Sequence, residues 1–168
     1  MSYIRVTEDH TAEVLRSIEG MIGKSVLIGV PEAENPRSAD PAAPRSSGPI
    51  GNASLAYIHD NGSPKRNIPA RPFLKVGVEQ SFPRALKEFK VYAVKAFRDP
   101  AQLDAGLKAA GTIASESVRK RITSQVGFAP LGPATLAARR RAGIKSKKAL
   151  IRIGSMLRSI TYVVVGGR

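Results

Sequence analysis

Residues 78–122, VEQSFPRALKEFKVYAVKAFRDPAQLDAGLKAAGTIASESVRKRI, decide the fold class. In the first half, Val78, Phe82, Ala85, Leu86, Phe89, Ala93, Ala96 and Phe97 form one broad apolar stripe. In the second half, Leu103, Leu107, Ala110, Ala114, Val118 and Ile122 recur at spacings of three and four. Both patterns follow the helical turn and predict two consecutive helices, each burying one face. Asp99-Pro100 separates them. Pro suits a first turn, where its missing N–H costs nothing, and Asp suits the cap. Pro83 must sit in the first turn of its helix or bend it. Gly106 and Gly111 each weaken the second helix by about 1 kcal/mol relative to Ala, which points to close approach of another backbone at these positions.

Upstream of this pair, SPKRNIPARPFL (63–74) contains Pro64, Pro69 and Pro72, which exclude helix and force an extended or turning path. NASLAYIHDN (52–61) reads as a short helix with Leu55, Ala56 and Ile58 turned inward and Gly62 as its stop. Residues 31–51 hold five Pro and no periodicity, which predicts a long loop. With little apolar content of its own, an ordered loop there is expected to pack on a neighbouring subunit. KSVLIGV (24–30) reads as a short strand of buried character stopped by Pro31. Residues 6–21 read as a first helix capped by Thr7 or Asp9, with Val6, Ala12, Leu15, Ile18 and Ile22 on one face and Gly23 beyond it.

Downstream, PLGPATLAARRRAG (130–143) predicts a short helix, IKSKK (144–148) a basic turn, ALIRIGSMLRSI (149–160) a helical turn after Gly154, and TYVVV (161–165) a closing strand. There is no internal repeat. The whole chain, 1–168, reads as a single α+β domain. Four or five helices pack on a small mixed or antiparallel sheet, with a long ordered Pro-rich loop at 31–51.

A chain of 168 residues can bury about 70% of its extended surface, enough for a core without staples. No run approaches the length of apolar sequence a membrane span needs, and the opening MSYIRVTEDH lacks the pattern of a secretory signal. The absence of cysteine removes disulfides, thiolate metal sites and cysteine nucleophiles. The net charge is +14, unevenly distributed: residues 1–60 hold five basic and eight acidic side chains, residues 61–168 twenty-two basic and five acidic. Beyond Glu116 there is no carboxylate side chain, while twelve Lys and Arg follow. Such a field favours polyanions or acidic protein surfaces as partners.

No arrangement of residues supports catalysis. Gly23-Lys24-Ser25 lacks the earlier glycine of a phosphate loop and precedes its strand where that loop would follow one. His10 and His59 have no histidine at helical spacing, GxSxG is absent, and the carboxylates do not cluster for acid–base or metal chemistry. The expectation is a non-enzyme without metal or cofactor. The basic residues carry more information. Arg119 and Arg121 lie on one helix, Arg139, Arg140 and Arg141 on another, and Lys145, Lys147 and Lys148 follow. Three consecutive helical residues spread over about 200°, so each basic triplet cannot face one ligand as a unit. Without recognition-helix or zinc signatures these residues suit sequence-independent phosphate contact and not base reading.

Three segments, in order, resemble phage tail-completion or virion-morphogenesis neck proteins. LAYIHDNGSPKRNIPARPFL (55–74) is similar to that family's helix ending in an IHExG-like stretch followed by IPARPFL. PLGPATLAARR (130–140) is similar to its PLxxxTxxxR stretch, and ALIRIGSMLRSITYVV (149–164) to LIDTGxLxxSITY, with Arg152-Ile153 where Asp-Thr is usual. The resemblance implies a structural virion protein, assembled in the host cytoplasm into a ring at the neck that completes the tail and joins it to the head. Six copies are preferred and twelve allowed. Neighbouring neck, connector and tail-terminator proteins are the expected partners, with phage DNA passing non-specifically through the channel and no membrane involved. Tail terminator or head–tail connector is the alternative role within this class, and a non-specific nucleic-acid-binding protein the alternative outside it.

On this reading Ile68, Pro69, Arg71, Pro72, Phe73 and Leu74 are candidates for the subunit or partner interface. Phe73 and Leu74 would be anchors, and Arg71 could fork onto a carboxylate. The same segment suits packing inside its own domain equally well. Arg119, Arg121, Arg139, Arg140, Arg141, Lys145, Lys147 and Lys148 are candidates to face DNA or the lumen.

Overall fold

Two long antiparallel helices cross closely because small residues line their seam. The computed structural model describes residues 9–31 and 51–166. Its elements are α1 (Thr11–Met21), β1 (Ser25–Gly29), α2 (Asn52–Asn61), a 3-10 turn (Pro64–Arg66), α3 (Leu74–Ala96), α4 (Ala101–Ser124), α5 (Pro133–Arg141), α6 (Ser155–Ser159) and β2 (Thr161–Val165). The α+β class is as read from the sequence: among the described residues six helices pack against a two-stranded antiparallel sheet. The Pro-rich loop and the Val6 and Thr7 positions of the first helix fall outside the described residues.

The boundary between the long helices is where the sequence places it. Asp99 Oδ1 accepts the N–H of Ala101 at 3.1 Å, and Asp99 Oδ2 accepts from Gln102 Nε2 at 2.8 Å. The face of α4 is also as read: Leu103, Ala114, Val118 and Ile122 are buried. Gly106 and Gly111 do admit a close neighbour, but it is a tyrosine side chain and not another backbone. A Cβ on Gly106 would stand 2.6 Å from Tyr92 Cβ, and one on Gly111 would stand 2.4 Å from the Tyr162 ring. A third close approach lies on α3, where a Cβ on Gly77 would stand 2.7 Å from the Cα of Val118.

The apolar stripe of α3 is broader than the face that is buried: Ala96 is buried and Val78, Ala85, Phe89 and Ala93 are half-buried, as read, but the large flanking residues are not. The residues of α3 that are buried are the small ones, Gly77, Ser81 and Ala96. Phe82, Leu86 and Phe97 remain 63%, 38% and 41% exposed. At this separation the seam has no room for large side chains, so they lie beside it. Pro83 stands in the interior of α3, neither in its first turn nor at its end, and leaves the Glu79 carbonyl without its helical donor. The N-terminal helix is found at Thr11–Met21. Leu15, Ile18 and Ile22 are 54%, 42% and 71% exposed, so the apolar face of α1 is not covered.

In the sheet, Val26 pairs with Val164 and Ile28 with Tyr162, and these residues face α4. The opposite face carries Leu27 and its partner Val163, 57% and 49% exposed, so β1 is covered on one side only. Lys24 Nζ donates to Asp104 Oδ1 at 2.6 Å and ties the start of β1 to α4. The main core lies at the other end of α4, where Ala56, Phe73, Val118, Ile122, Ala149, Leu150, Met156 and Ile160 cluster. It joins α2, the start of α3, the end of α4 and the segment through α6.

Two glycine-to-alanine substitutions separate packing from helix propensity. Gly77→Ala pushes a methyl into the Val118 backbone and is expected to destabilise by about 1–3 kcal/mol. Gly20→Ala on α1 meets nothing within 4 Å and is expected to be neutral or to stabilise by up to about 1 kcal/mol. Thermal unfolding followed by circular dichroism reads both.

Candidate functional site

The three segments that carry the family resemblance meet in space. A cleft of about 1120 Å³ opens between them, walled by Ile68 to Arg71, by Pro130 to Arg139 along α5, and by Leu150 to Met156, with Leu55 and His59 of α2 closing it. The local structure of each wall follows from backbone requirements. Gly62 ends α2 at φ +79, and a side chain there would also strike the Ala70 amide. Ser63 and Ile68 exchange backbone hydrogen bonds of 2.8 and 3.0 Å around the Pro64–Arg66 turn. The extended segment is then held to α2 by the Arg71 N–H, which donates to the His59 carbonyl at 2.8 Å.

Asp60 completes this junction. Its Oδ1 accepts the N–H groups of Phe73 and Leu74 at 2.8 and 2.9 Å, capping α3 from a different helix. That cap lets α3 begin at Leu74, before the first residue of its apolar stripe. Phe73 is fully buried in the chain's own core. Its reading as a partner anchor is therefore corrected, because the N-terminus of α3 turns its ring inward.

Arg71 is corrected as well. It is 5% exposed, and its fork meets backbone instead of a carboxylate: Nε donates to Ala129 O at 3.0 Å and Nη2 to Pro130 O at 3.3 Å. Of the remaining candidates in that segment, Pro69 and Pro72 are exposed, and Ile68 and Leu74 are half-buried.

The basic candidates divide into two groups. Arg119 donates through Nη2 to the Ile160 carbonyl, and Arg121 lies over the Phe128 ring at 5.2 Å. Arg139 Nη1 donates to the carbonyls of Ser146, Lys148 and Ile151 at 2.9, 2.9 and 3.1 Å. These three half-buried arginines pin the chain to itself, which corrects their reading as freely lumen-facing. Arg140, Arg141, Lys145, Lys147 and Lys148 are exposed, and Lys148 Nζ also donates to Thr123 O at 3.3 Å.

Two further residues shape the cleft without a local sequence signal. Gln125, at φ +59, pairs with Ala149 in both directions, Oε1 accepting its N–H at 2.7 Å and Nε2 donating to its carbonyl at 3.0 Å. Leu150 follows at φ +62 while buried, a conformation that costs about 1–3 kcal/mol for a side chain of this kind. Arg152 brings a third guanidinium to the wall.

Arg71, Arg139 and Arg152 line the cleft, and no Asp or Glu stands among its described lining residues. Burial pushes the Arg71 guanidinium below its ordinary pKa. Arg139 is lowered first by burial, then by repulsion from Arg152 and Arg71. Arg71 and Arg139 remain charged, as arginine does in proteins. Among the described residues, no group of three or more His, Asp or Glu could hold a metal ion, and no helix is long and apolar enough to cross a membrane.

Removing the Asp60 cap tests how the wall is built. Asp60→Ala is expected to destabilise by about 0.5–2 kcal/mol, while Asp60→Asn, which keeps an acceptor, retains most of that stability. Urea denaturation of the two variants measures the difference.

No family model, no curated protein and no solved structure matches this chain, so its own residues and geometry must carry any functional reading.

Proposed function

We propose that this protein is a structural subunit of a tailed-phage neck, assembling with copies of itself into a ring that completes the tail end and joins it to the head. The observation that carries the reading is the apolar surface a single chain leaves uncovered. It lies on α1 (Leu15, Ile18, Ile22), on α3 (Phe82, Leu86, Phe97) and on the outer sheet face (Leu27, Val163). Scattered apolar side chains are ordinary on a protein surface. Those on α1 and α3 are helical stripes, and the pair on the sheet is a cross-strand pair, so each is an ordered apolar face that the described residues leave exposed. A ring joins one face of a subunit to a different face of the next copy, which suits a chain with several such faces. The resemblance of three segments to neck proteins supplies the biological setting, and their convergence on one cleft gives a physical reason for them to occur together. The exposed Arg140, Arg141, Lys145, Lys147 and Lys148 suit contact with passing DNA or an acidic neighbouring ring.

Light scattering on the purified protein, at low and high salt, tests the assembly. A salt-resistant mass of several chains, six on the preferred symmetry, is expected, and Phe82→Glu with Phe97→Glu is expected to reduce it to one chain without unfolding it. A monomer that binds duplex DNA tightly and salt-sensitively would favour the nucleic-acid reading instead. In a phage carrying the gene, changing Arg140, Arg141 and Lys147 to Glu is expected to leave heads and tails unjoined, since none of the three side chains pins the fold. Normal yields of infectious particles from that variant would remove the basic surface from the proposal.

A further inference from the structure

Helix α1 has the pattern of a helix meant to be covered. Leu15, Ile18 and Ile22 recur at spacings of four and three, and the described residues leave all three exposed. Of the α1 residues whose side chains are described, only Val14 is as much as half-buried. A helix of 11 residues falls below the about 12–15 that persist in water alone, and most helices draw their stability from burying an apolar face. The stripe of α1 therefore calls for a further surface to pack on.

The stripe left open on α3 matches it in form and in charge. Phe82, Leu86, Phe89, Ala93 and Phe97 follow one another at three and four residues, the two middle ones (Phe89 and Ala93) half-buried and the others exposed. At 1.5 Å per residue this stripe runs about 22 Å and α1 about 16 Å, so the shorter helix fits along the longer. Rows of this spacing on two helices interdigitate as ridges and grooves. The charges beside them are opposite in sign. Asp9, Glu13 and Glu19 stand on or just before α1 with Arg16, whereas α3 carries Lys75, Arg84, Lys87, Lys90 and Lys95 with Glu79 and Glu88. Glu19 lies one turn beyond Leu15 and Lys90 one turn beyond Leu86, so each borders its stripe, and both are exposed. Two α3 stripes packed together would instead bring like charges face to face.

In a single chain both stripes lie exposed at once. Only Ile22 and Gly23 separate α1 from Lys24, whose Nζ is tied to Asp104 Oδ1 at 2.6 Å. We infer that α1 of one copy docks along the Phe82 to Phe97 stripe of the next, its acidic border against the basic border of α3. The inference rests on the proposed self-assembly and names the contact that drives it. One stripe meets a different stripe, the head-to-tail arrangement from which a ring closes.

The chain contains no cysteine, so introduced pairs read this contact without background. Leu15→Cys or Ile18→Cys is combined in one chain with Phe82→Cys, Leu86→Cys or Ala93→Cys and mildly oxidised. A disulfide needs Cβ atoms about 3.5–4.5 Å apart. At least one combination is expected to give a ladder of linked chains on a non-reducing denaturing gel, absent from every single-cysteine variant. Leu15→Glu with Ile18→Glu is expected to bring the mass from several chains to one while circular dichroism reports a folded protein, since neither side chain is buried. Glu19→Lys is expected to weaken assembly about fivefold, the size of an exposed ion pair turned repulsive, and Lys87→Glu with Lys90→Glu in the same chain to restore it.

A disulfide that closes within one chain overturns the inference, because α1 then covers its own α3. So does a Phe82→Cys or Leu86→Cys chain that links to its own kind, which is α3 against α3. An unchanged mass for Leu15→Glu with Ile18→Glu overturns it too, as does a charge reversal at Glu19 that neither weakens assembly nor is rescued. An assembled mass by light scattering with no ladder from any pair defeats this contact and leaves the ring standing. A wild-type chain that stays monomeric at every concentration defeats both.

Discussion

The approach of α3 to α4 at Gly77, where the Val118 Cα stands within reach of any added methyl, sets the terms for the rest of the molecule. Helices that meet this closely bury small residues and make their contact through backbone and short side chains. Gly77, Ser81 and Ala96 form that seam on α3, while Gly106 and Gly111 let α4 receive Tyr92 on one side and Tyr162 of the sheet on another. The price is that Phe82, Leu86 and Phe97 find no place inside. The tight hairpin and the apolar surface it leaves open are thus two consequences of one constraint.

From the same hairpin, the chain builds outward with hydrogen bonds between remote backbone and side-chain groups more than with further core. The buried cluster is small, and much of the structure past α4 is irregular. Arg71 holds the 129–130 turn, Arg139 gathers three carbonyls between Ser146 and Ile151, and Gln125 pairs with both backbone groups of Ala149. Buried backbone groups must find partners, and in these loops charged and amide side chains provide them. A basic composition thereby serves the fold before it serves any ligand. Arg71 and Arg139, held this way, line the cleft with Arg152 beside them, while Arg140 and Arg141 remain exposed to solvent.

Much of this was legible in the sequence. Element type and order follow from local rules: the Asp99-Pro100 break, the Gly62 stop, the β-branched closing strand and the three-and-four spacing of α4 all act within a few residues of themselves. What eluded the sequence depends on partners far along the chain. The apolar period of α3 shows that one side of the helix is hydrophobic and includes Ala96, but the seam is set by where α4 can approach, and Gly77 and Ser81 weigh little in a hydrophobic pattern. Asp60 caps a helix 14 residues later and Arg71 bonds to carbonyls 58 and 59 residues away, distances at which no motif announces a contact. The basic triplets show the same division. Their helical geometry already implied that Arg139 and Arg140 point apart, yet only the packing of α5 against residues 146–151 decided that Arg139 turns inward. Composition and local periodicity therefore determined the secondary structure, the α+β class and the large positive charge. The tertiary structure decided which apolar faces stay open and which arginines are gathered into one cleft, because both depend on surfaces that exist only once distant segments have met.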